Sequence, residues 1–81
     1  MGANAARHTW EILENVRSII AIEMLTAAQA VDLRPDGPER LAPATKAVYD
    51  RIRSAADYLK HDRETAPDIE AISDLLAQRE I

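Results

Sequence analysis

A long run without proline or glycine, from Ala3 to Leu33, is the feature that most restricts what this chain can become. Alanine, leucine, isoleucine and glutamate dominate it, and most of these residues favour helix. A continuous helix over that span reaches roughly 45 Å at about 1.5 Å per residue. Asn4 is positioned to cap its start. At the far end Arg34-Pro35-Asp36-Gly37-Pro38 cannot continue a helix.

The pattern inside this run changes along its length. Before Ile19 it is amphipathic: Trp10, Leu13, Val16 and Ile20 line one side, with Glu11, Glu14 and Arg17 elsewhere. From Ile19 to Leu33 only Glu23, Thr26, Gln29 and Asp32 are polar. They recur every third residue, so each lies about 60° back around the axis from the one before. The polar strip therefore spirals, and a helix apolar nearly all round requires burial on most sides. Leu25, mid-way along, is expected in a packed interior, which makes Leu25→Asp the most damaging single change.

Two shorter helices are predicted to follow the loop over residues 34–43. One runs from Ala44 or Thr45 to about Leu59 or Lys60, with Val48, Ile52, Ala55 and Leu59 as its apolar stripe. The other starts at Pro67, a favourable first-turn residue, and runs to about Arg79 with Ile69, Ile72, Leu75 and Leu76 facing inward. Asp68 and Glu70 sit near the positive end of its dipole. No strand pattern, repeat or low-complexity segment interrupts this scheme. The expected fold is all-α, one helical segment over 1–81, packed in an oligomeric helical bundle because two short helices cannot cover the first.

Composition removes several classes of function. The chain has 81 residues, no cysteine, no Phe, one Trp and two Tyr. Disulfides, thiolate metal sites and cysteine nucleophiles are absent together, and nothing demands an oxidising compartment, so cytoplasm is the default. A core with few rings is thin for a chain of this length. The net charge is −4. Arg51, Arg53, Lys60 and Arg63 are expected to be answered locally by Asp50, Asp57, Asp62 and Glu64, leaving no basic face for nucleic acid. Arg7, Glu11, Glu14 and Arg17 interrupt any signal-peptide core, and the apolar stretch to Leu33 is shorter than a bilayer span and carries Glu23 and Asp32. No membrane partner is expected.

No catalytic, cofactor-binding or metal-binding residue is expected. Ser18, Ser54 and Ser73 fall within predicted helices without a glycine elbow, and Gly2 and Gly37 form no phosphate loop. His8 and Glu11 lie one turn apart, yet metal sites need three or four ligands, so the surface reading of His8 outweighs the metal one. His61, inside Lys60-His61-Asp62-Arg63-Glu64, is read as part of a solvated connector before it is read as a general base. Glu23 is a carboxylate in the most apolar stretch, where burial raises a carboxyl pKa; a structural partner outweighs a catalytic role. Trp10 is read as a helix-face packing residue.

Several ordered motifs resemble a known family. Met1-Gly2-Ala3-Asn4-Ala5-Ala6-Arg7, Glu14-Asn15-Val16, Ala21-Ile22-Glu23 and Ala27-Ala28-Gln29-Ala30-Val31-Asp32-Leu33-Arg34 look like the last long helix of histidine ammonia-lyase. Thr45, Ala47, Tyr49, Ile52 and Arg53 continue the likeness, which ends with Asp62-Arg63 and Pro67-Asp68-Ile69-Glu70. The run through Gln29, Asp32 and Arg34 is shared with the wider aromatic amino-acid lyases; the Pro67–Glu70 tail is closer to the histidine branch.

The resemblance implies a parent activity, elimination of ammonia from histidine to give urocanate. The family's electrophile, 4-methylideneimidazol-5-one, forms from an alanine-serine-glycine triplet that this sequence lacks. The family's catalytic residues lie upstream of the matched region, so none is carried onto a position here. The chain alone is expected to be inactive. Its expected partners are copies of itself, as a homo-oligomer, or the remainder of a lyase chain. The alternative is an independent helical oligomerisation or interaction module. Where many relatives carry glycine-proline-glycine-threonine, this chain reads Ala42-Pro43-Ala44-Thr45, which predicts a changed loop.

Overall fold

The structure, a computed structural model, describes residues 2–60 and 63–79. It is all-α: α1 spans Gly2–Asp32, a short 3-10 helix spans Gly37–Arg40, α2 spans Pro43–Ala55 and α3 spans Ala66–Ala77. No strand occurs among the described residues. Helix α1 already includes Asn4, so that residue lies inside the helix and does not cap it.

Helix α1 stops where Pro35 removes the next backbone donor. The chain then turns through bonds from Arg34 N–H to the Val31 carbonyl and from Gly37 N–H to the Arg34 carbonyl, both 3.1 Å. Gly37 takes a φ of +58°, a left-handed conformation that glycine adopts without steric cost. The next corner needs no such freedom. Ala42 is extended at φ −61°, ψ 152°, and Pro43 opens α2. Ala44 lies inside that helix, so replacing both glycines of the related turn leaves no strained position.

Helix α2 ends earlier than its apolar spacing predicts. Ala56 is extended (φ −145°, ψ 120°), and Leu59 lies outside the helix. No proline or glycine between Ala55 and Lys60 forces this. The cause is tertiary: side chains from other segments take the backbone groups of this connector, as set out below. Helix α3 begins at Ala66 with Pro67 in its first turn, and ends at Ala77, two residues short of Arg79.

The core is small. Ala21, Ala28, Ile52, Ala56 and Ile72 are buried, with Met24, Leu25, Tyr49, Ala55, Ile69 and Leu76 packed partly against them. Ala21 and Ala28 are seven residues apart on one face of α1, and their small side chains let the other elements approach closely. Leu25 is half-buried, not interior. α2 and α3 cover one side of the C-terminal half of α1 and leave the opposite side open. The chain measures 54 × 29 × 16 Å, with a radius of gyration of 15.0 Å. A compact domain of this length has about 12 Å.

Candidate functional site: a polar clasp and an open helix face

The polar strip of α1 divides in two because it spirals. Glu23 and Thr26 face outward and are exposed, whereas Gln29 and Asp32 turn toward α2 and are half-buried. Asp32 ends α1, where the negative pole of the helix disfavours a carboxylate. Arg53 offsets this: its Nε donates to Asp32 Oδ2 at 2.9 Å, and its Nη2 lies 2.9 Å from the same oxygen. The Tyr49 hydroxyl donates to Asp32 Oδ1. The guanidinium sits 5.9 Å from the ring centroids of both Tyr49 and Tyr58, within cation–π range.

The same arginine reaches the connector. Its Nη1 donates to the Ala56 carbonyl at 3.0 Å and its Nη2 to Gln29 Oε1 at 3.3 Å. The Gln29 amide in turn pairs with both backbone groups of Leu59. It donates to the Leu59 carbonyl at 3.1 Å and accepts from the Leu59 N–H at 3.2 Å. Arg63 completes the set, donating to the carbonyls of Asp57 (2.7 Å) and Tyr58 (3.3 Å) and to Asp68 Oδ2 (2.9 Å). Carbonyls that would extend α2 are thus held by side chains, which explains its early end. Among the described residues no buried side-chain nitrogen or oxygen lacks a partner.

Arg53 therefore pairs with Asp32, far away in sequence, and not with a neighbouring acid as its local charge pattern suggested. Arg63 likewise pairs with Asp68, and Asp50 is met by Lys46 (3.2 Å). Asp62 lies outside the described residues.

Burial pushes the Tyr49 phenol above its ordinary range, and the Asp32 carboxylate it donates to pushes it further; Arg53 pulls the other way. A raised folded-state pKa favours the protonated phenol. Its contribution is complete below the unfolded value of about 10 and is lost as pH rises through the higher folded value. Alkaline unfolding curves should accordingly steepen above that point, and Tyr49→Phe should flatten them. An unchanged alkaline limb in Tyr49→Phe would show that the phenol does not couple to folding.

Other residues singled out by sequence scatter. His8 and Glu11 are both exposed on α1, and His61 lies outside the described residues. No group of three or more His, Cys, Asp or Glu able to hold a metal occurs among the described residues. Glu23 is exposed, which overturns its reading as a buried carboxylate: the strip faces outward at that point. Ser18 and Ser54 are exposed, Ser54 donating to the Arg51 carbonyl, and Ser73 is half-buried in α3. Trp10 is 59% exposed, so its packing role is not met within this chain. No described helix is long and apolar enough to cross a membrane.

The open side of α1 is the second notable surface. Ile12, Leu13, Val16, Ile19, Ile20 and Ile22 are all exposed, as is Leu33 beyond the helix end. An open groove of about 380 Å³ adjoins it, walled by Leu25, Ala30 and Leu33 on one side and by Leu59, Arg63 and Ile69 on the other.

The clasp joins two sequence motifs, Gln29 and Asp32 from α1 with Tyr49 and Arg53 from α2, and both lie within residues 1–54, the part that matches the aromatic amino acid lyase profile. This chain belongs to the aromatic amino acid lyase family. Within it, the similar curated proteins are histidine ammonia-lyases. That of Symbiobacterium thermophilum is 49% identical over 81 residues, and histidine ammonia-lyase 1 of Fusobacterium nucleatum is 42% identical over 81; each match covers 100% of this chain. The Staphylococcus aureus (strain USA300) enzyme is 45% identical over 78 residues, 96% of this chain. The chain spans only 15–16% of the length of these relatives. No solved structure matches.

Proposed function

We propose that this chain is a C-terminal structural segment of a histidine ammonia-lyase, which packs its long helix into a larger helical assembly and is not catalytic by itself. The observation that carries this reading is the apolar surface left open along α1, from Ile12 to Leu33, in a chain whose clasp and core are complete on the other side. Exposed apolar patches of this extent are uncommon on monomers. The likeness to histidine ammonia-lyases supports the choice of parent activity, conversion of histidine to urocanate and ammonia. The electrophile of that reaction, 4-methylideneimidazol-5-one, needs an alanine-serine-glycine triplet, and the sequence contains none. What this segment contributes is shape: the Asp32–Arg53 clasp fixes the angle between α1 and α2, and the open face packs against other helices.

Two measurements test this. Purified chain incubated with histidine should form no urocanate, which is followed by its ultraviolet absorbance; sustained turnover would overturn the proposal. Sequencing the coding DNA on the 5′ side should reveal an in-frame alanine-serine-glycine triplet. A stop codon followed by a ribosome-binding site would instead favour an independent helical interaction module. That second reading draws support from the clasp, which closes entirely within this chain.

A further inference from the structure

The connector that follows α2 is held in an unusual way. Four consecutive carbonyls, those of Ala56, Asp57, Tyr58 and Leu59, each accept a hydrogen bond from a side chain. Arg53 serves the first at 3.0 Å, Arg63 the next two at 2.7 and 3.3 Å, and Gln29 the last at 3.1 Å. The Leu59 N–H donates to Gln29 Oε1 at 3.2 Å. Three side chains thus supply what backbone partners supply in a helix or sheet.

The same four residues suit a helix. None is proline, glycine or β-branched, and alanine and leucine are among the best helix formers. Leu59 falls four residues after Ala55 and seven after Ile52, on the stripe by which α2 already packs. The Ala56 N–H still donates to the Ile52 carbonyl at 2.9 Å, so the helical ladder runs right up to the connector. One further turn would bring the N–H groups of Asp57, Tyr58 and Leu59 to the carbonyls of Arg53, Ser54 and Ala55, which the present end of α2 leaves beyond its own ladder. Local sequence therefore favours helix here, and only tertiary contacts oppose it.

We propose that residues 56–59 form a two-state strap, held out of helix while Gln29, Arg53 and Arg63 grip it, and converting to a last turn of α2 when they release it. The inference concerns contacts within the chain and does not depend on the lyase reading. An extended residue advances about 3.3 Å and a helical one about 1.5 Å, so conversion shortens the strap by up to about 7 Å. Helix α3 begins only seven residues beyond Leu59, so it is drawn along with the strap. Leu59 and Arg63 also wall the groove of about 380 Å³ opposite Leu25 and Leu33. Conversion withdraws that wall and opens the groove. The strap thereby sets both the place of α3 along α1 and the width of the groove between them.

Backbone NMR of the full 81-residue chain tests this. Arg63 is exposed and lies outside the helices, so Arg63→Ala should leave the packed core intact. In that variant the Cα shifts of Asp57, Tyr58 and Leu59 should move toward helical values, and they should move further in Gln29→Ala/Arg63→Ala. Adding Asp57→Pro should cancel the movement. Ala56 is already extended, as a residue before proline prefers, whereas proline at 57 in a helix clashes with the Arg53 carbonyl. If the double variant fails to fold, the Arg63→Ala spectrum decides alone. Shifts that stay unchanged in every folded variant would overturn the proposal. So would a strap that moves to disordered values, since release would then lead to no second state, or helical shifts that survive Asp57→Pro.

Discussion

Replacing Arg53 by alanine is expected to destabilise the chain by about 2–4 kcal/mol, a large share of what a domain this small has. The side chains of Arg53 and Asp32 are 13% and 16% exposed, so neither charge is well solvated. Removing the guanidinium leaves the Asp32 carboxylate at the negative end of α1, where the Tyr49 hydroxyl still donates to it. It also strips the Ala56 carbonyl of its donor, and the connector loses one of the contacts that hold it off the α2 axis. Arg53→Lys should recover part of the loss, since one ammonium cannot serve the carboxylate, the carbonyl and Gln29 together.

Urea melts of Arg53→Ala, Asp32→Ala and the double variant measure the pair directly, and a coupling of roughly 1–3 kcal/mol is expected between contacting charges. The exposed Lys46–Asp50 pair provides the contrast. With side chains 44% and 58% exposed it should contribute no more than about 0.5 kcal/mol. If Arg53→Ala proved as mild as Lys46→Ala, the clasp would be a surface decoration and α2 would be held in place by the apolar packing of Ile52, Tyr49 and Ala55.

The clasp shows what a sequence of this kind discloses and what it conceals. The length of α1 was legible because helix formers run unbroken to a proline, and both shorter helices were legible from their apolar stripes. The residues of the clasp were visible as well: Gln29 and Asp32 as the end of the spiralling strip, Tyr49 and Arg53 as motif residues. That they meet was not visible, because local charge pattern offers Arg53 an aspartate at Asp50 and another at Asp57. Choosing Asp32 instead requires the turn at Gly37 to bring α2 back along α1. The early end of α2 was hidden for the same reason. Ala55 to Lys60 contains good helix formers, and side chains from α1, α2 and Arg63 divert the backbone. Glu23 misled in the opposite direction. An apolar neighbourhood in sequence suggested burial, yet α2 and α3 occupy one side of α1 only.

The side of α1 that is covered decides which core substitution matters most. Reasoning from the apolar stretch alone selected Leu25, but Leu25 is half-buried and forms part of the groove wall. A carboxylate placed there by Leu25→Asp can reach water through the groove, which reduces its cost to about 1–2 kcal/mol in a single chain. Ile72 is 0% exposed and packs in the cluster with Ala21 and Ala28. Ile72→Ala should therefore cost about 2–5 kcal/mol, the removed methyl and methylene groups plus the cavity they leave. His8→Ala, at an exposed site, should stay within about 0.5 kcal/mol of the parent. Thermal melts should place Ile72→Ala far below Leu25→Asp. Leu25→Asp as the worse variant would mean that α2, α3 and the connector bury residue 25 more deeply than a half-buried position allows.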